Sequence, residues 1–183
     1  MSKIAIEGNA SGTGTLTIAA PNTNSNFTLD IPSASGVIDR LNRAGNVLQV
    51  VNTLLTATRG IASTTFADIT GLSATITPTS ASNKILILVS INGITIEATI
   101  TALKTRILRD ATILEFIDSS IGYSSLAQLY AGGVSIGYLD APATTSAITY
   151  KIKFATNSGN QAYINNYTSG GSSSTITLME ISA

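Results

Sequence analysis

Apolar residues recur at every second position over much of the chain, a spacing that puts one face of a β-strand against a core and the other in water. The clearest instance is Tyr150-Lys151-Ile152-Lys153-Phe154, which predicts a half-buried strand with both lysines outward. Lys84 to Gly93 places Ile85, Ile87, Val89 and Ile91 on one face and Leu86 and Leu88 on the other, so its first half reads as buried on both sides. Such a strand is central in a sheet or forms a seam between subunits. Ile94 to Ala102 alternates as one further strand, with Ile94, Ile96, Ala98, Ile100 and Ala102 toward the core.

The remaining strand signals are Val47 to Thr56, Phe66 to Thr70, Ser73 to Pro78, Ser135 to Leu139, Gln161 to Asn165 and Thr175 to Ile181. A hairpin is expected around Asp110, joining Lys104–Arg109 to Ala111–Ile117. Turn residues recur at intervals short enough for an all-β sandwich or barrel. The fold class that follows is an antiparallel, jelly-roll-like β-sandwich head spanning residues 47–183.

Residues 1–46 differ in kind. They carry five glycines, two prolines and only short alternations, Leu16 with Ile18 and then Phe27, Leu29 and Ile31. These bury too little to fold alone and read as an extended arm with two short strands. One or two helical turns are expected over Val37–Arg43, stopped by Gly45.

Composition narrows function by exclusion. The 183 residues include no His, Cys or Trp, and only 11% are charged. Without His or Cys there is no Ser-His or Cys-His nucleophile and no ordinary structural zinc site. Ten basic and ten acidic residues cancel, which removes the footprint of a sequence-tolerant nucleic-acid binder. Monomeric domains usually rely on a more charged surface for solubility. The low charge therefore predicts a permanent oligomer that hides part of its surface. No leading apolar segment of signal-peptide type is present, and the apolar stretch Ile85–Ile96 is interrupted by Ser90, Asn92, Gly93 and Thr95. Neither secretion by that route nor membrane insertion is expected.

Candidate chemistry is sparse. Gly133-Val134-Ser135-Ile136-Gly137 spells the G-x-S-x-G elbow, but that elbow requires a His to take the serine proton. Glu97, Asp110, Glu115 and Asp118 could supply a carboxylate pair of the glycosidase kind, although a solvated face accounts for all four. The run Gly8–Gly14 has no Lys to cradle phosphate. No catalytic residue, metal or cofactor is expected, and the reading is non-enzymatic. Tyr123, Tyr130 and Tyr167, beside Gly/Ser-rich stretches, are amphipathic contact candidates.

Ser11–Asn26, followed by Thr28–Pro32 and Ser35-Gly36, resembles the amino-terminal segment of tail-fibre and other appendage proteins of tailed bacteriophages, especially cyanobacterial ones. Gly45–Val51, Ile69–Pro78, Lys84–Val89, Asp140–Ala147 and Thr175–Ile181 are similar to the β-rich carboxy-terminal domain of the same group. The resemblance implies a homotrimer on the virion surface. Its arm would dock on another virion protein of the tail, portal or capsid through Leu16, Ile18, Phe27, Leu29 and Ile31. Its heads would meet through Leu48, Val50, Leu86 and Leu88, and Tyr123, Tyr130 and Tyr167 would face a host glycan or protein. A short trimeric tail fibre or receptor-binding appendage is the first expectation. With no shaft between arm and head, a trimeric capsid decoration or cement protein is the alternative.

Overall fold

The computed structural model describes residues 43–97, 99–124, 129–166 and 171–183, with residues 11–14 and 24 before them, and the backbone alone at 117–120, 124 and 129. The chain divides into two units, Met1–Ile38 and Asp39–Ala183. The docking candidates Leu16, Ile18, Phe27, Leu29 and Ile31, the contact candidate Tyr167 and, but for Arg43, the helix expected over Val37–Arg43 lie outside the described residues.

The second unit is built of ten strands: β1 (Val47–Leu55), β2 (Arg59–Ile61), β3 (Ala67–Ile76), β4 (Lys84–Ile96), β5 (Thr101–Arg109), β6 (Thr112–Ser124), β7 (Leu129–Asp140), β8 (Ile148–Thr156), β9 (Ala162–Ile164) and β10 (Ser174–Ile181). One sheet runs β1-β10-β4-β7, with β9 and β2 continuing from the end of β4; the other runs β3-β8-β5-β6. Every pairing is antiparallel. With the two short strands set aside, the eight long strands in chain order fill the sheets as 1-8-3-6 and 2-7-4-5. Only the β5–β6 hairpin joins strands of the same sheet. That arrangement is a jelly roll, so the all-β sandwich expected from the alternation is the fold.

The core lies between the sheets and is dominated by isoleucine. Ile85, Ile87, Val89, Ile91, Ile176 and Leu178 of the first sheet meet Ile76, Leu103, Ile107, Tyr150 and Ile152 of the second in one cluster. Burying each such side chain is worth roughly 1.5–3 kcal/mol, which lets the sandwich close without metal or disulfide. Lys151 and Lys153 face outward from β8, as their alternation predicts.

Three expectations need correction. Ile94–Ala102 is not one strand: Ile94–Ile96 ends β4, and β5 begins at Thr101. Glu97 N donates to Gln161 O (3.1 Å), and the chain then turns through Ile100, whose φ of 58° lies in the left-handed region, outside regular strand geometry. Ile100 is therefore exposed rather than in the core. Phe66–Thr70 and Ser73–Pro78 belong to a single strand, because Gly71, at φ 91°, accommodates a bulge between Asp68 and Ser73 instead of ending the strand. The Gly/Ser-rich stretch before Ser135 already belongs to β7 from Leu129 onward, and the short β2 carried no sequence signal.

Gly93 is a second glycine required by geometry. Its φ is 59°, and a Cβ there would meet Asn166 N at 3.0 Å as well as Ser172. The bulge it forms in β4 lets Asn165 N donate to Asn92 O (2.8 Å) and Asn166 N to Gly93 O (3.0 Å). The buried Asn165 then ties three elements together. Its Nδ2 donates to Leu55 O (2.8 Å), and its Oδ1 accepts from Ser174 Oγ (2.7 Å).

Candidate functional site

The outer face of the first sheet is apolar, and the register shows how it is assembled. Cross-strand partners share a face. Val50, Met179, Leu86 and Leu139 stand in one row across β1, β10, β4 and β7. The next row is Asn52, Thr177, Leu88 and Gly137, and the next is Leu54, Thr175, Ser90 and Ser135. At the other end Val47, Ile181 and Lys84 align, Lys84 being the single charge in these rows. Val50 is 56% exposed, Leu139 51% and Leu88 40%.

Leu88 lies beside Gly137 of β7, where an added Cβ would sit in ordinary contact, 3.6 Å from the leucine Cδ2. A polar pair, Asn52 Nδ2 donating to Thr177 Oγ1 at 2.7 Å, interrupts the face between Val50 and Leu54. Each large side chain left in water forfeits the roughly 1.5–3 kcal/mol that burial would return, so the face is primed for a partner surface.

The structure brings three of the four predicted seam residues, Val50, Leu86 and Leu88, onto this face. Leu48 instead lines a recess of about 480 Å³ at its margin, with Thr79, Ser80, Ser82, Asn83, Ser182 and Ala183. Leu54 falls in the Val47–Leu55 run that sequence reasoning gave to burial between copies, whereas Leu139 and Met179 were missed. The alternation of Thr175 to Ile181 puts Met179 opposite Leu178, but only the pairing of β10 between β1 and β4 joins it to Val50 and Leu86. Leu86 and Leu88 also correct the picture of a strand buried on both faces: β4 is central, yet Leu86 is half-buried and Leu88 exposed in the single chain.

Beside the recess lies a buried carboxylate. Glu180 is fully buried, and its Oε1 accepts from Thr79 N (2.7 Å), Thr79 Oγ1 (2.8 Å) and Asn83 Nδ2 (2.6 Å). Its Oε2 accepts from Gln49 Nε2 (2.6 Å). Burial alone pushes this carboxyl up, but the donors from Asn83, Gln49 and Thr79 outweigh it and hold the pKa down at about 2. With its lone pairs spent on neutral donors, Glu180 anchors the β3–β4 connection to β10.

Among the described side chains the other chemical candidates do not converge, and that of Asp118 lies outside them. Glu97 is exposed at the end of β4, and Asp110 sits in the β5–β6 turn, accepting from Thr149 N (3.1 Å). Glu115 turns to accept from Phe116 N (3.0 Å) on β6. Ser135 lies mid-strand in β7, with no helix after it. No cluster of three or more His, Cys, Asp or Glu capable of holding a metal occurs among the described residues. No helix among them is long and apolar enough to cross a membrane. Tyr123 closes β6 and Tyr130 opens β7, so both flank the same connection, and both are about half exposed.

Fold and surface together define a jelly-roll domain with an uncovered apolar sheet face. No family model and no curated protein matches the chain. Among solved structures it is similar to the VP2 subviral particle of infectious bursal disease virus, at 14% identity and a TM-score of 0.47. That alignment covers 73% of this chain and 32% of the other, so the chain spans about a third of the length of that protein.

Proposed function

We propose that the chain is a non-enzymatic structural protein of a phage virion, a short trimeric tail fibre or receptor-binding appendage displayed on the particle surface. The observation that carries this reading is the apolar row Val50–Met179–Leu86–Leu139, which matches what a seam between copies requires. The resemblance of residues 11–36 to appendage proteins supports docking of the arm on another virion protein, and Tyr123 and Tyr130 would be displayed toward a host surface. Three heads held together would turn weak individual contacts into strong attachment.

A capsid decoration role is favoured by a separate observation. Gly45 N donates to Ser182 O (2.8 Å) and Ser182 N to Asn46 O (2.9 Å), so the chain enters the sandwich directly, with no shaft after residue 43. Immunogold labelling of particles separates the two roles. Label confined to the tail or portal end supports the appendage, and label over the whole capsid supports decoration. Absence of the protein from purified particles overturns both.

A further inference from the structure

The second sheet presents the opposite chemistry. From its outer face project Lys104, Arg106, Lys151 and Lys153, with the Asp68 carboxylate among them and that of Asp110 bonded to Thr149 N at the edge of the face. In a chain whose charges cancel, this is a marked local excess of positive charge. Asp68, Lys153, Arg106 and Phe116 form one row across β3, β8, β5 and β6. Lys151 follows two residues along β8 from Lys153, and Lys104 two residues along β5 from Arg106. The four cations therefore trace a diagonal stripe spanning about 13 Å along the strands.

The surroundings of that stripe are those of a saccharide surface. The Arg106 guanidinium stacks on the Phe66 ring, 3.6 Å from its centroid, and lies 4.8 Å from that of Phe116. Stacking holds the planar donor fork in a fixed orientation. Phe116 is half exposed and offers a flat apolar platform beside it. Hydroxyls complete the face, with Thr75 and Thr149 sharing a hydrogen bond of 2.8 Å. Asp68 bridges Lys151 (3.0 Å) and Lys153 (3.5 Å), keeping both ammonium groups together over the sheet.

We propose that this face binds an acidic polysaccharide, its carboxylate or sulfate groups on the lysines and its sugar rings against Phe116. The site goes beyond the virion reading and does not use the tyrosines or the apolar face. A stripe of four cations on a chain of zero net charge favours a polysaccharide over duplex nucleic acid, whose binding draws on a longer run of phosphate contacts.

The test is titration calorimetry of the full chain at low salt with heparin as the sulfated probe, polygalacturonate as the carboxylated probe and dextran as the neutral one. Binding to both polyanions, falling steeply with added salt, and none to dextran is expected. Lys151→Gln with Lys153→Gln should weaken binding about tenfold, and Lys104→Gln provides a second variant outside the Asp68 bridge. Asp68→Asn should tighten binding, which a merely structural ion pair would not do, while Lys84→Gln on the opposite sheet should leave it unchanged. Failure to bind either polyanion, an equal loss in Lys84→Gln, or tighter binding to duplex DNA of matched charge would overturn the proposal. Oligomeric mass, measured in parallel, reports on the virion reading independently.

Discussion

Arg109 of β5 grips Asp140 of β7 with two hydrogen bonds of 2.8 and 3.0 Å from one guanidinium nitrogen, joining the two sheets at the end of the sandwich. Tyr150 OH donates to the same carboxylate at 2.7 Å, and burial followed by the nearby Asp140 charge pushes the Tyr150 hydroxyl well above its ordinary range. Asp140 is nearly buried, whereas Arg109 keeps a quarter of its side chain in water. Asp140→Ala leaves a partly exposed cation and a buried hydroxyl without their shared partner. The expected loss is about 2–4 kcal/mol, discounted for the exposed arginine and read from the urea midpoint.

Acid should loosen the protein through Glu180. Its folded pKa, about 2, lies below its ordinary value of 4.5. The stability it contributes is therefore fully present above that ordinary value and is lost as pH falls through the folded one. Urea midpoints measured from pH 6 down to pH 2 should decline across that window. Glu180→Gln should flatten the decline and cost about 1–3 kcal/mol at neutral pH, because an amide NH₂ would face donors.

The apolar row makes a quantitative demand on assembly. Light scattering of the full chain at micromolar concentration should give three times the mass of 18.8 kDa. Val50→Lys combined with Leu139→Lys should give a folded monomer with an unchanged circular dichroism spectrum. A wild-type monomer, or a trimer indifferent to both lysines, would sink the seam.

Gly93→Ala tests the bulge in β4. A left-handed alanine costs about 1–2 kcal/mol before any clash with Asn166, so thermal unfolding should begin lower while the far-ultraviolet spectrum is kept.

Truncation locates the true start of the head. Deleting residues 1–42 should leave a stable sandwich that no longer attaches to particles. Deletion through residue 46 should in addition lower stability, since Ser182 would lose its backbone partners at Gly45 and Asn46 and its hydrogen bonds to Arg43 O and with Asn46 N.

Alternation alone made the strands Tyr150–Phe154 and Lys84–Ile91 legible, together with the all-β class, because period-two burial is a local property. Ile94–Ala102 misled for the same reason: the pattern continues smoothly across a turn at Ile100, while the bond that holds the end of β4, from Glu97 N to Gln161 O, comes from 64 residues away in the chain. The apolar row of the outer face was partly legible in Leu86 and Leu88, whose two-sided strand had no second core to enter. Met179 and Leu139 join it only through pairings distant in sequence. Lys151 and Lys153 were visibly outward, yet their company with Arg106 depends on β8 lying beside β5. Glu180 shared the phase of Ile176 and Leu178, a sign of an inward carboxylate, but its donors come from three separate segments.

The placement of β10 between β1 and β4 also sets an order of events. Met179 separates Val50 from Leu86, so the row they share does not exist until the last strand has threaded between two others, a long-range step of the kind that makes β-topologies fold slowly. An unfinished chain therefore lacks this particular row, so any contact that reads it can form only once the sandwich is complete.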